Sequence, residues 1–254
     1  MKFDDIKKLQ QRKYRESCGY FLVEGEHLVL ELQKAAQHNP LLQHSELYVT
    51  GEHESWKSPF ATHLISARQM AQIAETKSPQ GIAAVVPLIP APARKPSHSN
   101  NSADLERAIY LHEIQDPGNL GSILRSLAWF GGLRCLLSPG SVDPYNSKAV
   151  RASMGAIFHV PFEIDITLDS LPERFARMAC LDTRGESLRS DGFRNFDCYL
   201  FGNEARGLPR EQLAELKAQS FSIAATAAAG RANIESLNLA ASVHMCVYEL
   251  NRDV

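Results

Sequence analysis

Three separated stretches hold the residue types able to do chemistry. The first is Asp116-Pro117-Gly118-Asn119-Leu120-Gly121-Ser122-Ile123-Leu124-Arg125. Pro117 fixes φ, Gly118 is free to take positive φ, and Asn119 is a good helix N-cap. Arg125 then falls one turn inside a helix. A rigid turn leading into a helix offers free backbone N–H groups beside a fixed cation, which suits an anion. The second is Leu200-Phe201-Gly202-Asn203-Glu204-Ala205-Arg206-Gly207-Leu208. Gly202 allows close approach to the backbone, and Glu204 supplies a carboxylate able to orient Arg125 or a bound cation. The third is Asn233 to Ser242, in which Ser236 and Asn238 offer side-chain donors and acceptors at a helix start. Each also fits a purely structural role: Asn119 and Ser236 as caps, Glu204 as a partner for Arg206 or Arg210, Gly202 and Gly207 as turn residues.

The elements that must position these groups are legible around the first stretch. Ala108–His112 reads as a strand, and Leu120, Ile123, Leu124, Leu127 and Ala128 form one apolar helix face. Ser122, Arg125 and Trp129 fall on another face. Gly131 and Gly132 stop the helix, and Leu133–Leu137 resumes as a strand. Further on, the pattern predicts a helix from Asp143-Pro144-Tyr145 through Ala149, a strand-like Phe158–Pro161 and a helix over Leu171–Met178. Strands follow over Ala179–Thr183 and Tyr199–Phe201. Alternating strands and helices predict an α/β fold, a doubly wound parallel sheet with its site at the strand ends.

The first part of the chain has the same alternation on a smaller scale: a short basic helix before residue 20, strands at Tyr20–Val23, Leu47–Thr50 and Ile82–Val86, and helices from Glu26 and from Ala67, the latter capped by Ser66. Pro87, Pro90, Pro92 and Pro96 then lead into Ser97-His98-Ser99-Asn100-Asn101-Ser102, the composition of an exposed linker. The expected division is residues 1–88, a linker at 89–103, and 104–254.

Composition narrows the classes. With 254 residues, 44 % hydrophobic and 22 % charged, the chain is long enough for one large or two ordinary domains. No apolar run reaches the roughly 18–20 residues of a membrane span. The start lacks a signal-peptide core, so the expectation is a cytoplasmic protein without membrane contact. The cysteines are odd in number and widely spaced, and the histidines lack zinc-like spacing, so no metal is expected. Net charge is −2, yet Lys2, Lys7, Lys8, Arg12, Lys13 and Arg15 crowd the start, either as a solvated helix face or as an RNA-facing one. Dinucleotide, P-loop and serine-hydrolase fingerprints are absent, which removes the support for a nucleotide-dependent metabolic enzyme.

Taken in order, Asp116-Pro117-x-Asn119-x-Gly121-x-Ile123-x-Arg125, Gly202-Asn203-Glu204-x-x-Gly207-Leu208 and Ser236-Leu237-Asn238 resemble the three motifs of the SpoU-type (TrmH-type) RNA ribose methyltransferases of the SPOUT superfamily. Arg151–Ala156 is similar to a further family segment, and Phe21–Glu31 with Ser78-Pro79-Gln80-Gly81-Ile82 resembles the RNA substrate-binding domain that often precedes the catalytic one. The resemblance implies methyl transfer from S-adenosylmethionine to a ribose 2′-hydroxyl of rRNA or tRNA, rRNA being the expected substrate. It also implies a C-terminal SPOUT domain with a trefoil knot, a ribosomal-protein-like amino-terminal domain, and a homodimer through the C-terminal domain. By the same resemblance Arg125 is the catalytic residue, joined by Asn119, Glu204 and Asn238. Thr183, Gly202, Ile223, Ser236 and Leu237 match positions around the cofactor. Arginine stays charged at neutral pH, so its physically easier roles are to hold a phosphate that accepts the proton or to stabilise alkoxide charge.

One departure bears on the cofactor. Members of the family usually carry Ile-Pro-Met before the Ser-Leu-Asn motif; here Ile223 is followed by Ala224-Ala225, and Ala227–Arg231 lengthens the segment. This motivates the alternative of a non-catalytic RNA-binding relative with weakened cofactor binding.

Overall fold

The computed structural model describes residues 1–90, 107–224 and 236–252. In chain order the elements are α1 (Phe3–Lys8), α2 (Arg12–Cys18), β1 (Tyr20–Glu24), α3 (Glu26–Ala36), β2 (Glu46–Val49), β3 (Ala61–Leu64), α4 (Ala67–Ile73), β4 (Ile82–Pro87), β5 (Arg107–Leu111), α5 (Pro117–Phe130), β6 (Leu133–Leu137), α6 (Ser147–Ser153), β7 (Phe162–Glu163), β8 (Met178–Ser187), β9 (Cys198–Phe201), α7 (Arg210–Leu216), β10 (Gln219–Ser222) and α8 (Leu239–Leu250). Contacts group them into two units, Met1–Pro90 with Asp143–His159, and Ala91–Val142 with Val160–Val254. From residue 91 onward the expected linker lies outside the described residues.

The first unit is built on a four-stranded sheet in the order β1-β4-β2-β3. β4 lies antiparallel to both β1 and β2, and β3 lies parallel to β2. The central β4 is buried along its whole length, which is why its sequence is an unbroken apolar run. Ser66 caps α4 in a full capping box with Gln69. Strand β3 has no counterpart in the sequence reading, because all four of its residues are exposed and none marks a buried face. α6 starts behind its own cap, Asn146, and not at Asp143. Asp143 instead accepts from Arg15 Nε at 3.0 Å and from Arg15 Nη2. Arg15 Nη1 donates to the carbonyls of Leu9 at 2.7 Å and Gln10 at 2.9 Å. The strand expected over Phe158–Pro161 is a 3₁₀ turn at Ala156–Phe158, with the strand proper at Phe162–Glu163.

The second unit holds a six-stranded sheet in the order β10-β8-β9-β5-β6-β7, every neighbouring pair parallel. β6 and β9 are buried throughout and β5 is buried beyond Arg107, as a sheet covered on both faces requires. α5 buries Leu120, Ile123, Leu124 and Leu127 and leaves Arg125, Ala128 and Trp129 exposed. Its N-cap is Asp116, whose Oδ1 accepts from Gly118 N, with Pro117 at the first position. Asn119 therefore sits inside the first turn, not at the cap. Gly131, at φ +68°, ends the helix. The helix expected over Leu171–Met178 is a run of turns leading into β8. Leu171, Phe175 and Met178 do enter the core beside Tyr110, Leu136 and Leu200, so their helix-like spacing reflects burial without a helix. α7 and β10 are additions that the sequence reading did not assign.

Candidate active site

The site is assembled where the chain leaves β5 and β9. The backbone N–H groups of Gln115 (3.4 and 3.3 Å) and Asp116 (3.4 Å), just ahead of α5, donate to the Glu204 carboxylate. Asn119, one turn along, donates its Nδ2 to the same carboxylate at 3.3 Å. A negative side chain at the open end of a fourteen-residue helix also opposes the helix dipole favourably. The other atom of the Asn119 amide, Oδ1, accepts from Asn238 Nδ2 at 3.1 Å. Asn238 caps α8, its Oδ1 accepting from Ala241 N at 3.2 Å. Glu204, Asn119 and Asn238 thus form one polar chain that joins all three motifs.

Behind Glu204 the turn is rigid. Asn203 is buried and pairs with Gly207 in both directions, at 3.1 and 2.9 Å. Its side-chain oxygen accepts from Ala205 N and Arg206 N, and its Nδ2 donates to the Glu113 carbonyl at 2.8 Å. The Arg206 guanidinium pairs with the Glu113 carboxylate and not with Glu204. Gly202 has no room for a side chain, since a Cβ there would lie 2.3 Å from the Gly207 carbonyl carbon and 2.4 Å from Leu208 N. Asn203 and Glu113 are therefore organisers that sequence reasoning missed. The signal for Asn203 was its place between Gly202 and Glu204; Glu113, a non-glycine residue at φ +48°, carried none.

Arg125 is exposed on α5 and has no hydrogen bond or ion pair among the described residues, so its cation is free to meet a ligand. It makes no hydrogen bond or ion pair with Glu204. On the same helix, Ser122 meets His244 of α8, the carbonyl lying 3.2 Å from Nε2. The contacts Asn119–Asn238 and Ser122–His244 advance together, so α5 and α8 run side by side in the same direction.

Three of the remaining candidates fall on or just after adjacent strands. Thr183 belongs to β8, Gly202 follows β9, and Ile223 follows β10, three neighbours in the sheet. β10 pairs Ser220 with Cys180 and then Phe221 with Glu186, so Leu181–Gly185 lie opposite no β10 residue. Among the described residues Thr183 Oγ1 bonds only Asp182 Oδ1, at 3.2 Å. Gly185 packs so closely on β10 that a Cβ would sit 2.6 Å from the Ser220 carbonyl. Ser236 and Leu237 are both exposed ahead of α8. Of the altered loop, Ala225–Arg231 lies outside the described residues, as does Asn233–Glu235.

Among the described residues no group of three His, Cys, Asp or Glu is placed to hold a metal, and no helix is long and apolar enough to cross a membrane.

Comparison with known proteins gives consistent matches. The SpoU rRNA methylase family profile matches residues 106–248, and that of the MRM3-like substrate-binding domain matches residues 2–84. An uncharacterised tRNA/rRNA methyltransferase of Synechocystis is 29 % identical over 97 % of this chain and 89 % of its own length. The 23S rRNA guanosine 2′-O-methyltransferase RlmP of Bacillus subtilis is 32 % identical over 63 % of this chain and 60 % of that protein. Among solved structures, one described as a candidate RNA methyltransferase of the TrmH family from Porphyromonas gingivalis superposes with a TM-score of 0.78 at 27 % identity, covering 99 % of this chain and 97 % of that one. An AdoMet-bound rRNA methyltransferase from Sinorhizobium meliloti shares the fold, with a TM-score of 0.78 at 23 % identity over 98 % and 94 % of the two chains.

Proposed function

Because the chain belongs to the SpoU rRNA methylase family, we propose that it transfers a methyl group from S-adenosylmethionine to a ribose 2′-hydroxyl of ribosomal RNA. The observation that carries this reading is the polar chain Glu204–Asn119–Asn238, which unites the three motifs beside an exposed, unpaired Arg125. The relatives' names support it, RlmP being an rRNA 2′-O-methyltransferase.

The carboxyl edge fits the cofactor. Gly202 keeps the turn after β9 packed against the Gly207–Leu208 backbone, Ile223 and Leu237 offer apolar surface, and Thr183 and Ser236 offer hydroxyls. Bound there, S-adenosylmethionine supplies an electrophilic sulfonium methyl group. The protein's own task is to bring a ribose hydroxyl into line with it and to help remove the hydroxyl proton. Arg125 cannot accept a proton at neutral pH. It holds an RNA phosphate that takes the proton, or stabilises the alkoxide charge that develops on the ribose oxygen. Glu204, Asn119 and Asn238 fix the wall from which Arg125 projects.

The amino-terminal unit serves as the RNA-binding part, consistent with its match to a substrate-binding domain. The active species is a homodimer through the C-terminal unit, working in the cytoplasm without a metal. Exposed Trp129 on α5 and exposed Met245 and Tyr248 on α8 support that contact. The trefoil knot implied by the resemblance belongs to the same proposal; most of the chain between β10 and α8 lies outside the described residues.

Calorimetry with S-adenosylmethionine, paired with methyl transfer to an unmodified transcript of large-subunit rRNA, tests the reading. The expected result is cofactor binding by both wild type and Arg125→Ala, with transfer by wild type alone. Failure of wild type to bind millimolar cofactor would leave only the non-catalytic relative motivated by the altered loop after Ile223.

A further inference from the structure

The strand order reverses direction at β5. The chain first builds β6 and β7 outward on one side, and later places β8, β9 and β10 on the other. In open parallel sheets a ligand crevice opens at the carboxyl ends of the two strands flanking such a reversal, here β5 and β9. Leu111 is the last residue of β5, opposite Phe201 of β9. The next residue, His112, continues the pairing by donating its N–H to the Phe201 carbonyl at 2.8 Å. His112 therefore stands at the mouth of the crevice, and it opens the loop whose N–H groups hold Glu204.

Its ring is half-buried and stacks on Tyr110 at 6.3 Å. Nδ1 is buried and has no hydrogen-bond partner among the described residues; Nε2 reaches the surface, equally unpartnered. Two charged groups face the ring, the Glu113 carboxylate on its own loop and the Arg206 guanidinium from the loop after β9. Burial, aided by Arg206 and opposed by Glu113, pushes the imidazole pKa down. Protonation would also place an N–H on buried Nδ1 with nothing to accept it. The neutral tautomer with its hydrogen on Nε2 avoids that penalty and presents one uncharged donor at the surface. Of the candidate cofactor positions, Thr183 lies on β8 and Gly202 and Ile223 just follow β9 and β10, whereas His112 just follows β5, ahead of the helix that carries Asn119 and Arg125.

Building on the methyltransferase reading, we propose that His112 is a neutral hydrogen-bond donor to the bound RNA, its Nε2–H holding a ribose or phosphate oxygen of the nucleotide to be methylated. The contact carries no charge, so it helps position the substrate without adding to the salt dependence of RNA binding.

His112→Phe keeps a ring and removes the donor; His112→Gln returns an amide donor close to the Nε2 position. The substrate is the unmodified large-subunit rRNA transcript, and the readouts are steady-state methyl transfer, cofactor calorimetry and the salt dependence of RNA binding. For His112→Phe the KM for RNA should rise about tenfold, the loss of one good hydrogen bond, with kcat changed less than about threefold. Cofactor affinity and the salt slope should stay as in wild type, and His112→Gln should recover most of the KM. Long-range proton–nitrogen NMR of the wild type should show the neutral Nε2–H tautomer at pH 7, a readout that needs no variant. An unchanged KM in His112→Phe, a loss of cofactor affinity in its place, no rescue by His112→Gln, or the Nδ1–H tautomer would each overturn the proposal. A wild-type protein that transfers no methyl group would instead overturn the reading on which it rests.

Discussion

Asn238 performs two separable jobs with one side chain. Its oxygen caps α8 and its nitrogen reaches Asn119. Asn238→Asp keeps the cap acceptor and deletes the donor, whereas Asn238→Ala deletes both. Denaturant titration should find Asn238→Ala about 1 kcal/mol less stable than wild type and Asn238→Asp near it, while both lose methyl transfer. Equal activity in Asn238→Asp and wild type would mean that the link to Asn119 is idle. Gly202 is a steric case. A methyl group there collides with the Gly207–Leu208 backbone, so Gly202→Ala should cost about 1–3 kcal/mol and weaken cofactor binding by displacing the turn; calorimetry reads the second effect directly. His112 adds a pH dependence. Its pKa in the folded protein lies below the usual 6.5. On acidification the unfolded chain takes up this proton first, and stability falls as pH drops through 6.5 toward the lower folded value. Comparing wild type and His112→Gln across pH 5–7 should show a shallower acid loss in the variant.

At the scale of elements, what the sequence revealed depended on burial. β4, β5, β6 and β9 are apolar runs because both faces of each are covered, and each was legible. β3 was not, since an exposed edge strand leaves no periodic mark. The spacing of Leu171 and Phe175 suggested a helix where the structure has turns, because burial at irregular positions can imitate a period of 3.6. The motifs themselves were legible, yet their joining was not. Asn119 reads as a cap, and only the fold shows Asp116 in that role and Asn119 freed to bridge Glu204 and Asn238. Asp143 is similar: it reads as a helix start, but it is the partly buried partner of the buried Arg15. Within that unit, Arg15→Ala would strand a half-satisfied carboxylate and should destabilise it by about 3–5 kcal/mol. A denaturant midpoint indistinguishable from wild type would show that water replaces the guanidinium freely.

For the whole molecule, the proposed homodimer rests on α5 and α8. Trp129 is 85 % exposed and Tyr248 63 % exposed on helices that lie side by side. Light scattering after size exclusion should find a dimer for wild type and a monomer for Trp129→Glu, with methyl transfer lost alongside. A wild-type monomer with full activity would place every required group within one chain. Net charge near −2 leaves RNA binding to local features such as the basic first helices, so affinity should depend on salt less steeply than for a strongly basic protein.

The most direct test of the central claim is ribose-methylation mapping of ribosomal RNA from cells with and without this gene. A 2′-O-methyl group blocks alkaline cleavage of the adjacent phosphodiester, so each modified ribose is read as a protected bond. The account predicts one protected position in large-subunit rRNA that disappears without the gene, returns with the wild-type protein and does not return with Arg125→Ala. Identical maps with and without the gene, or restoration by Arg125→Ala, would contradict it.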